Sequence, residues 1–369
     1  MRKCRQRGCR WSSIGCSDVI LAKLIAECLA RTCSLDTGEP REAEQYLASR
    51  IVGAIEKTRR RNSGEARLLL ITRMWPTADR PDAGSFVVDR ARGSSNITVV
   101  GPRRYGRGWL AEYITLAWDA ARAKGPFDGI EAHTLYPAGL IGLVIAYVRR
   151  VPLVVYAHGS EVRRATQGSR RYRWVATRIA KAAEVVLANS EDTGRHIRAL
   201  GREPRIIPPG VDLARFNPTP RPTDRRVLYM GGDRAVKGYE AAEGLADTLV
   251  GPGLKEIPPS EVPELIAQHD VVLMPSRAEG FGVLAVEAVA SGRWVVASNV
   301  GGLREIIQDG INGTLVTDGG YAAALARVPD YDPTTVAKTV ARYDLARHQA
   351  AMLAVWQEVL SRRRVSSRA

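Results

Sequence analysis

Two glutamates eight positions apart, Glu279 and Glu287, lie in a stretch otherwise made of glycine, small and aliphatic residues. Carboxylates accept hydrogen bonds from hydroxyls, and glycines between them leave main-chain amides open to an anion. The apolar run 271–274, closed by Pro275, reads as a buried parallel strand. Phe281, Leu284, Ala285, Ala288 and Val289 then have the spacing of one helical face, which Gly292 ends before a strand at 294–297. The amides of the Gly280-Phe281-Gly282 turn and the positive end of that helix therefore point at whatever fills the loop. Glu287 falls about two turns into the helix, so the two carboxylates are stacked along an axis rather than paired. That arrangement suits hydroxyls at two places on one extended ligand with phosphate between them, the description of a sugar nucleotide.

The elements that must hold this loop come in two series. The first opens with a strand at 68–72 and a long loop, 73–85, that contains Pro76, Pro81 and Gly84. A helix from 86, a strand at 97–100 and a helix at 108–124 follow, the last with Leu110, Ile114, Ala117, Trp118 and Ala121 as its expected packing face. Next come a strand at 129–132 leading to His133, an apolar helix at 138–147, and a strand at 153–156 with His158-Gly159-Ser160-Glu161 at its C-terminal end. A helix at 170–183, a strand at 185–188, a helix capped by Asn189-Ser190-Glu191 and a strand at 205–207 close the series. Residues 208–226 hold five prolines and read as a linker. The second series has strands at 227–230, 248–250, 271–274, 294–297 and 314–316, with helices near 239–246 and 260–267. Helices at 319–327 and 333–360 end it, with Leu345, Met352, Leu353, Trp356 and Leu360 as one apolar stripe. Strands alternating with helices make parallel sheets, so the fold class is α/β: two Rossmann-like parallel-sheet domains facing across a cleft. The expected boundaries are a basic, helical appendage at 1–67, a first domain at 68–210, a linker at 211–225, a second domain at 226–330, and helices with a basic tail at 331–369. Trp109, Trp118, Trp294 and Trp356 are expected in the core.

Composition narrows the class. No apolar run is long enough to span a bilayer, since 139–147 is followed by Arg149 and Arg150, and the charged N-terminus lacks the apolar core of a signal peptide. A cytoplasmic location is expected. All five cysteines lie within the first 33 residues and none forms a C-x2-C pair, so neither a disulfide framework, a thiol nucleophile nor a metal site is expected in the body. The net charge is +15, with 14 Lys/Arg against 8 Asp/Glu in residues 1–67 and four Arg with no acid in 361–369. Basic ends of this kind suit solvated tails, and also peripheral contact with an anionic membrane face or a nucleic acid. Nothing in the sequence sets an oligomeric state or a role for residues 1–67, which read as a docking segment or as sequence upstream of the true start.

The stretch from Glu279-Gly280-Phe281-Gly282 to Glu287, with Pro275-Ser276 before it and Gly301-Gly302-Leu303-Arg304-Glu305 after it, resembles the E-x7-E region of family-4 retaining glycosyltransferases of the GT-B fold. Further matches fall in order: Ala157-His158-Gly159-Ser160-Glu161 resembles the family's first-domain histidine loop, Asn189-Ser190-Glu191 and Pro209-Gly210-Val211-Asp212 its hinge-side landmarks, and Lys237-Gly238 its phosphate-binding lysine. Residues 81–86 are similar to the glycine-containing loop after the first strand. The resemblance implies that Glu279 holds hydroxyls of a donor sugar and Glu287 its ribose. It further implies that Lys237 and the amides of Gly280, Phe281 and Gly282 neutralise the diphosphate, and that His158 orients the sugar near the reacting carbon. Gly232 stands where the family has an arginine, which leaves Arg234 as the substitute cation; Gly84 suits either a phosphate-facing loop or a plain turn, and His133 a supporting place in the cleft. The implied reaction is hexosyl transfer with retention from a UDP- or GDP-linked sugar to a hydroxyl acceptor, with no metal and no cofactor besides the donor. The alternatives are a sugar-nucleotide epimerase, another GT-B enzyme such as a glycan phosphorylase, or a non-catalytic sugar-nucleotide- or nucleic-acid-binding protein. A dehydrogenase fits poorly, because no G-x-G-x-x-G follows the first strand.

Overall fold

The computed structural model describes residues 66–80, 83–94, 96–106 and 108–366. The helices expected within residues 1–67 lie outside the described residues, apart from Ala66 and Arg67 at the approach to the first strand.

β-branched and aliphatic runs form two all-parallel sheets. In the first, β1 (Leu68–Thr72), β2 (Ile97–Val100), β3 (Gly129–His133), β4 (Leu153–Ala157), β5 (Val185–Ala188) and β6 (Arg205–Ile206) stand in the order β2-β1-β3-β4-β5-β6. In the second, β7 (Val227–Tyr229), β8 (Thr248–Leu249), β9 (Val271–Met274), β10 (Trp294–Ser298) and β11 (Gly313–Val316) stand in the order β11-β10-β9-β7-β8. The strands β1, β3, β4, β9 and β10 are buried along their whole length, which is why they read as continuous apolar runs rather than as alternation. The C-terminal ends of both sets of strands lead into the loops that carry His158 and Glu279.

Helices cover each face of the first sheet. After β1 comes α1 (Ser85–Arg92); after β2, β3 and β4 come α2 (Trp109–Arg122), α3 (Ala138–Arg149), α4 (Ser160–Gln167) and α5 (Arg170–Ala182), and after β5 comes α6 (Glu191–Arg198). Leu116, Ala120, Ile145, Ala176, Ile179 and Ile197 bring α2, α3, α5 and α6 onto one face of the sheet. The other face is closed by the end of the chain. Met352, Val355, Trp356 and Val359 of the 22-residue helix Leu345–Ser366 pack against Leu68, Val154, Tyr156 and Leu187, so a helix that follows the second sheet completes the core of the first. Arg205 and Glu358 pair at 2.6 Å to hold its outer edge.

Three sequence expectations change. The expected helix at 333–360 divides into Pro333–Lys338, a 3-10 turn at Ala341–Tyr343 and Leu345–Ser366, and Leu353 of the expected stripe is exposed. In α2, Leu110, Ile114 and Trp118 face outward, while Leu116, Ala120 and the partly buried Tyr113 make the packing face. Apolar residues occupy both sides of α2, so spacing alone offers two stripes and only contact with the sheet selects one. Trp294 and Trp356 are core, Trp118 is not, and the side chain of Trp109 lies outside what is described. The short helices α4 and Leu303–Ile306 carry no long apolar period and were not expected. Among the described residues no helix is long and apolar enough to cross a membrane.

Because Trp356 fills the first-sheet core and donates to a buried carboxylate, Trp356→Ala is expected to lower unfolding stability by about 3–5 kcal/mol. Denaturant unfolding checks this, and a loss no larger than that of an exposed Leu353→Ala control would contradict it.

Candidate functional site

The first-sheet half of the site grows out of β3 and β4. Glu131 and His133 are two apart on β3 and therefore share one face, the face that the C-terminal helix covers. Glu131 is fully buried and its carboxylate is fully engaged: Arg90 of α1 donates through Nε (3.1 Å) and a terminal nitrogen (2.8 Å), and the Trp356 indole N–H donates at 2.8 Å. His133 Nε2 lies 3.1 Å from Glu131 Oε1, and His133 Nδ1 lies 3.2 Å from His158 Nε2. Burial would raise the Glu131 carboxyl, but Arg90, His133 and the indole outweigh it and hold the group well below the usual carboxylate range. Burial, and then the neighbouring His133 and His348, push His158 well below an ordinary histidine, so its ring is neutral at pH 7.

Glu131 only accepts, so His133 carries a proton on Nε2. His158 Nδ1 is buried and has no hydrogen-bond partner among the described residues, which leaves it to a group from elsewhere. Phe86 and Tyr156 flank the ring at centroid distances of 4.9 and 4.7 Å. The His158 amide donates to Glu161 (2.8 Å), which pins the loop behind it. Gly84 lies in the turn that starts α1, two residues before Phe86.

The second-sheet half is built on β9 and the helix Val283–Ala290. The 3-10 turn Ala235–Lys237 sits on the end of β9, with the Arg277 amide donating to the Val236 carbonyl at 3.0 Å. This delivers Lys237 Nζ to 2.6 Å from Glu279 Oε2. Glu279 and Lys237, expected to serve a sugar and a phosphate separately, are thus one ion pair. Glu287 is half-buried and its carboxylate makes no hydrogen bond to the described residues; burial, only partly offset by Arg215, raises it to about 7. The Phe281 ring is buried against Tyr343, 5.3 Å between centroids, so only its main chain remains for a ligand. Arg234 is exposed and its guanidinium donates to the Gly231 carbonyl (3.1 Å), not to any group of the Lys237–Glu279 pair. At Gly232, φ is 67° and a β-carbon would stand 2.2 Å from the Pro252 carbonyl oxygen, so the backbone there has closed the position where the resembled family carries arginine.

The two halves touch. Gly159 and Gly280 meet so closely that a β-carbon on Gly280 would lie 2.1 Å from the His158 carbonyl oxygen, and one on Gly159 would lie 2.8 Å from the Gly280 Cα. Two glycines are what let the E-x7-E loop rest on the histidine loop. Ser190 donates to the Gly280 carbonyl (2.7 Å), and Asn189 donates to the His158 carbonyl (3.0 Å). At the far side the amides of Glu191 and Asp192, at the start of α6, donate to the Glu305 carboxylate at 3.1 and 3.3 Å. Sequence reasoning named His133 and the two loops but missed Arg90, the Trp356 N–H and Glu305. The one available signal was the period-two pair Glu131 and His133, which places two polar groups on a strand face that must be covered.

The raised carboxyl of Glu287 makes stability depend on pH. Between its ordinary value of 4.5 and about 7 the folded form holds a proton that the unfolded chain releases. Its contribution is therefore greatest below about 4.5, declines as pH rises, and is a deficit above 7. Glu287→Gln is expected to stabilise the protein at pH 8 by on the order of 1–3 kcal/mol, a gain that shrinks towards pH 5. Melting temperatures of both proteins across that range check it; a difference that does not change with pH would refute it. A second check concerns the His133 proton. Nitrogen NMR of the imidazoles should find His133 protonated at Nε2, and Glu131→Gln should disturb that state while His196 keeps its own.

Residues 66–215 match the family model described as Glycosyltransferase Family 4, and residues 213–328 match the one described as Glycosyl transferases group 1. The D-inositol 3-phosphate glycosyltransferase of Arthrobacter sp. is 30% identical, over 70% of this chain and 75% of that protein. Its namesake from Geodermatophilus obscurus is 30% identical over 57% of this chain and 61% of that protein, so this chain spans a little under two thirds of that relative's length. Among solved structures, Anabaena HepE in complex with UDP and glucose superposes with a TM-score of 0.63 at 19% identity, covering 79% of this chain and all of that one. Sucrose-phosphate synthase from Thermosynechococcus elongatus gives 0.60 at 20% identity, over 81% and 99% of the two chains. At that level of identity the structural likeness concerns the fold. Two facing parallel-sheet units, with a glutamate loop resting on a histidine loop and both family models matching in sequence, identify this chain as a member of the family-4 glycosyltransferases with the GT-B fold.

Proposed function

We propose that the chain transfers a hexosyl unit from a nucleotide diphosphate sugar to an acceptor hydroxyl with retention at the anomeric carbon and without a metal. The observation that carries this is the contact of Gly280 with the His158 loop, which brings the Lys237–Glu279 pair to the histidine across the cleft. In the free protein the ammonium and carboxylate neutralise each other. When a donor enters, Lys237 turns to the diphosphate, Glu279 accepts from sugar hydroxyls, and each charge exchanges one partner for another rather than being stripped of one. Glu287, without a hydrogen bond of its own, takes the ribose hydroxyls. His158 Nδ1 accepts from a hydroxyl of the donor sugar and orients the ring. The anomeric C–O bond breaks with its electron pair passing to the diphosphate, where Lys237 and the loop amides stabilise the developing charge. The acceptor oxygen bonds to the anomeric carbon from the same face, and its proton passes to the departing phosphate oxygen.

The relatives named as D-inositol 3-phosphate glycosyltransferases support a phosphorylated polyol as the acceptor class. Structures of HepE with UDP and glucose support a UDP-sugar as the first donor to try. Arg73, which follows β1, lies over the rings of Tyr105 and Tyr113 and pairs with Glu112 at 2.8 Å, is the first-sheet cation we assign to an acceptor phosphate.

His158→Ala and Glu279→Ala are each expected to cut turnover at least about tenfold with melting temperature near that of the parent; near-normal turnover in both would sink the proposal. Turnover is also expected to survive EDTA, and a loss restored by added magnesium would overturn the metal-free part. A thermal-shift panel of UDP, GDP, ADP and their sugars identifies the donor base, with no shift from any of them counting against the site.

A further inference from the structure

The helices on one face of the first sheet leave an apolar surface uncovered. On α2, Leu110, Ile114 and Trp118 stand one turn apart and are 57%, 52% and 46% exposed. They lie opposite the buried Leu116 and Ala120, so they point straight away from the sheet. On α5, Trp174 is 53% exposed and lies opposite the buried Ala176. Between these two helices runs α3, which packs on both and exposes Tyr147 and Val148 at its C-terminal end. The three outward faces belong to one layer, because the connections after β2, β3 and β4 all cross the sheet in the same direction.

The charge of α5 has one sign, and Asp119, next to Trp118 on α2, is paired with Arg103. Residues 162–183 contain seven Lys/Arg and no Asp or Glu. A guanidinium lies over each outward indole, Arg122 over Trp118 at 5.0 Å and Arg178 over Trp174 at 5.3 Å. Arg170 and Arg171 line a shallow depression beside Trp174. Isolated exposed apolar residues need no explanation, but a stripe of three with paired indole and guanidinium groups on a neighbouring helix does. An indole with a cation at the same height belongs at the boundary between headgroups and acyl chains, where the ring is half-desolvated and the cation meets phosphate.

We propose that this α2–α3–α5 face is a peripheral docking surface for an anionic lipid bilayer. Leu110, Ile114, Trp118 and Trp174 enter the interface, and the arginines of α5 meet lipid phosphates. The depression beside Trp174 is shallow and bounded by Arg170 and Arg171, and the aliphatic stripe has no use on a nucleic acid backbone, whereas a bilayer uses both the apolar and the basic components. The inference replaces the chain's basic ends with a built surface as the point of contact, and it does not depend on which reaction the cleft performs.

Vesicle flotation of the full chain tests it. Strong binding is expected to vesicles with about a third phosphatidylglycerol and at least about tenfold less to phosphatidylcholine alone, with a steep loss in high salt. Trp118→Ala with Trp174→Ala, and separately Arg170→Glu with Arg171→Glu, should each lower the bound fraction at least about fivefold while melting temperature and nucleotide-induced thermal shift stay unchanged. These positions are exposed, so the variants should fold. Brominated acyl chains should quench the parent's tryptophan emission more than that of the double tryptophan variant. Absence of binding would overturn the proposal. Binding unchanged in both double variants would assign it to the termini instead, and retention by soluble DNA with no vesicle binding would assign the surface to nucleic acid.

Discussion

The carboxylate of Glu131 has no access to water, and every oxygen of it is spoken for by a group from a different part of the chain: Arg90 from α1, Trp356 from the last helix, and His133 from its own strand. An unpaired charge in that position would be expensive, so the ion pair and the indole bond are conditions for closing the first-sheet core at all. The same carboxylate holds the Nε2 proton of His133, whose other nitrogen meets His158. One buried interaction thus joins the C-terminal helix to the first domain and, through His133, positions the cleft histidine. Packing and function share a constraint, because the helix that seals the core also supplies one of the donors that keep Glu131 ionised.

Across the cleft the design is electrostatic exchange rather than burial. Lys237 and Glu279 remain partly accessible and hold each other at 2.6 Å. In the proposed reaction each passes from the other to a ligand group of matching charge or hydrogen-bonding type. Glu287 contrasts with this pair. It stands in a half-buried place and burial raises it to about 7, a cost that the proposed contact with ligand hydroxyls would offset. The contact of Gly159 with Gly280 and the capping of α6 by Glu305 hold the two units near enough for these groups to act on one molecule.

Much of the fold and half of the site were legible because the signals are local. A β-branched run ending in proline, two glycines and an apolar helix face within about twenty residues identify the loop of Glu279 and the helix of Glu287 without any distant partner. His158 was legible as a residue at the C-terminal end of a strand, where ligands bind in open parallel sheets, and Lys237 only through the family resemblance. The outward stripe of α2 was misread as its packing face, since its two apolar sides differ only in what they meet. Arg234 was named for its charge, but its guanidinium turns back to the Gly231 carbonyl. Phe281 was named for its neighbours, and its ring belongs to the core against Tyr343.

The sequence by itself determined the alternation that makes two parallel sheets and the loop that carries the E-x7-E spacing, because each follows from residues close along the chain. Only the tertiary structure decided that Glu131 is held by residues 41 positions upstream and 225 positions downstream of it, that Lys237 closes on Glu279, and that Gly280 rests on His158. Such pairings depend on strand order and on which helix face meets the sheet. Spacing along the chain gives the direction of a side chain from its own element, and not what stands opposite it.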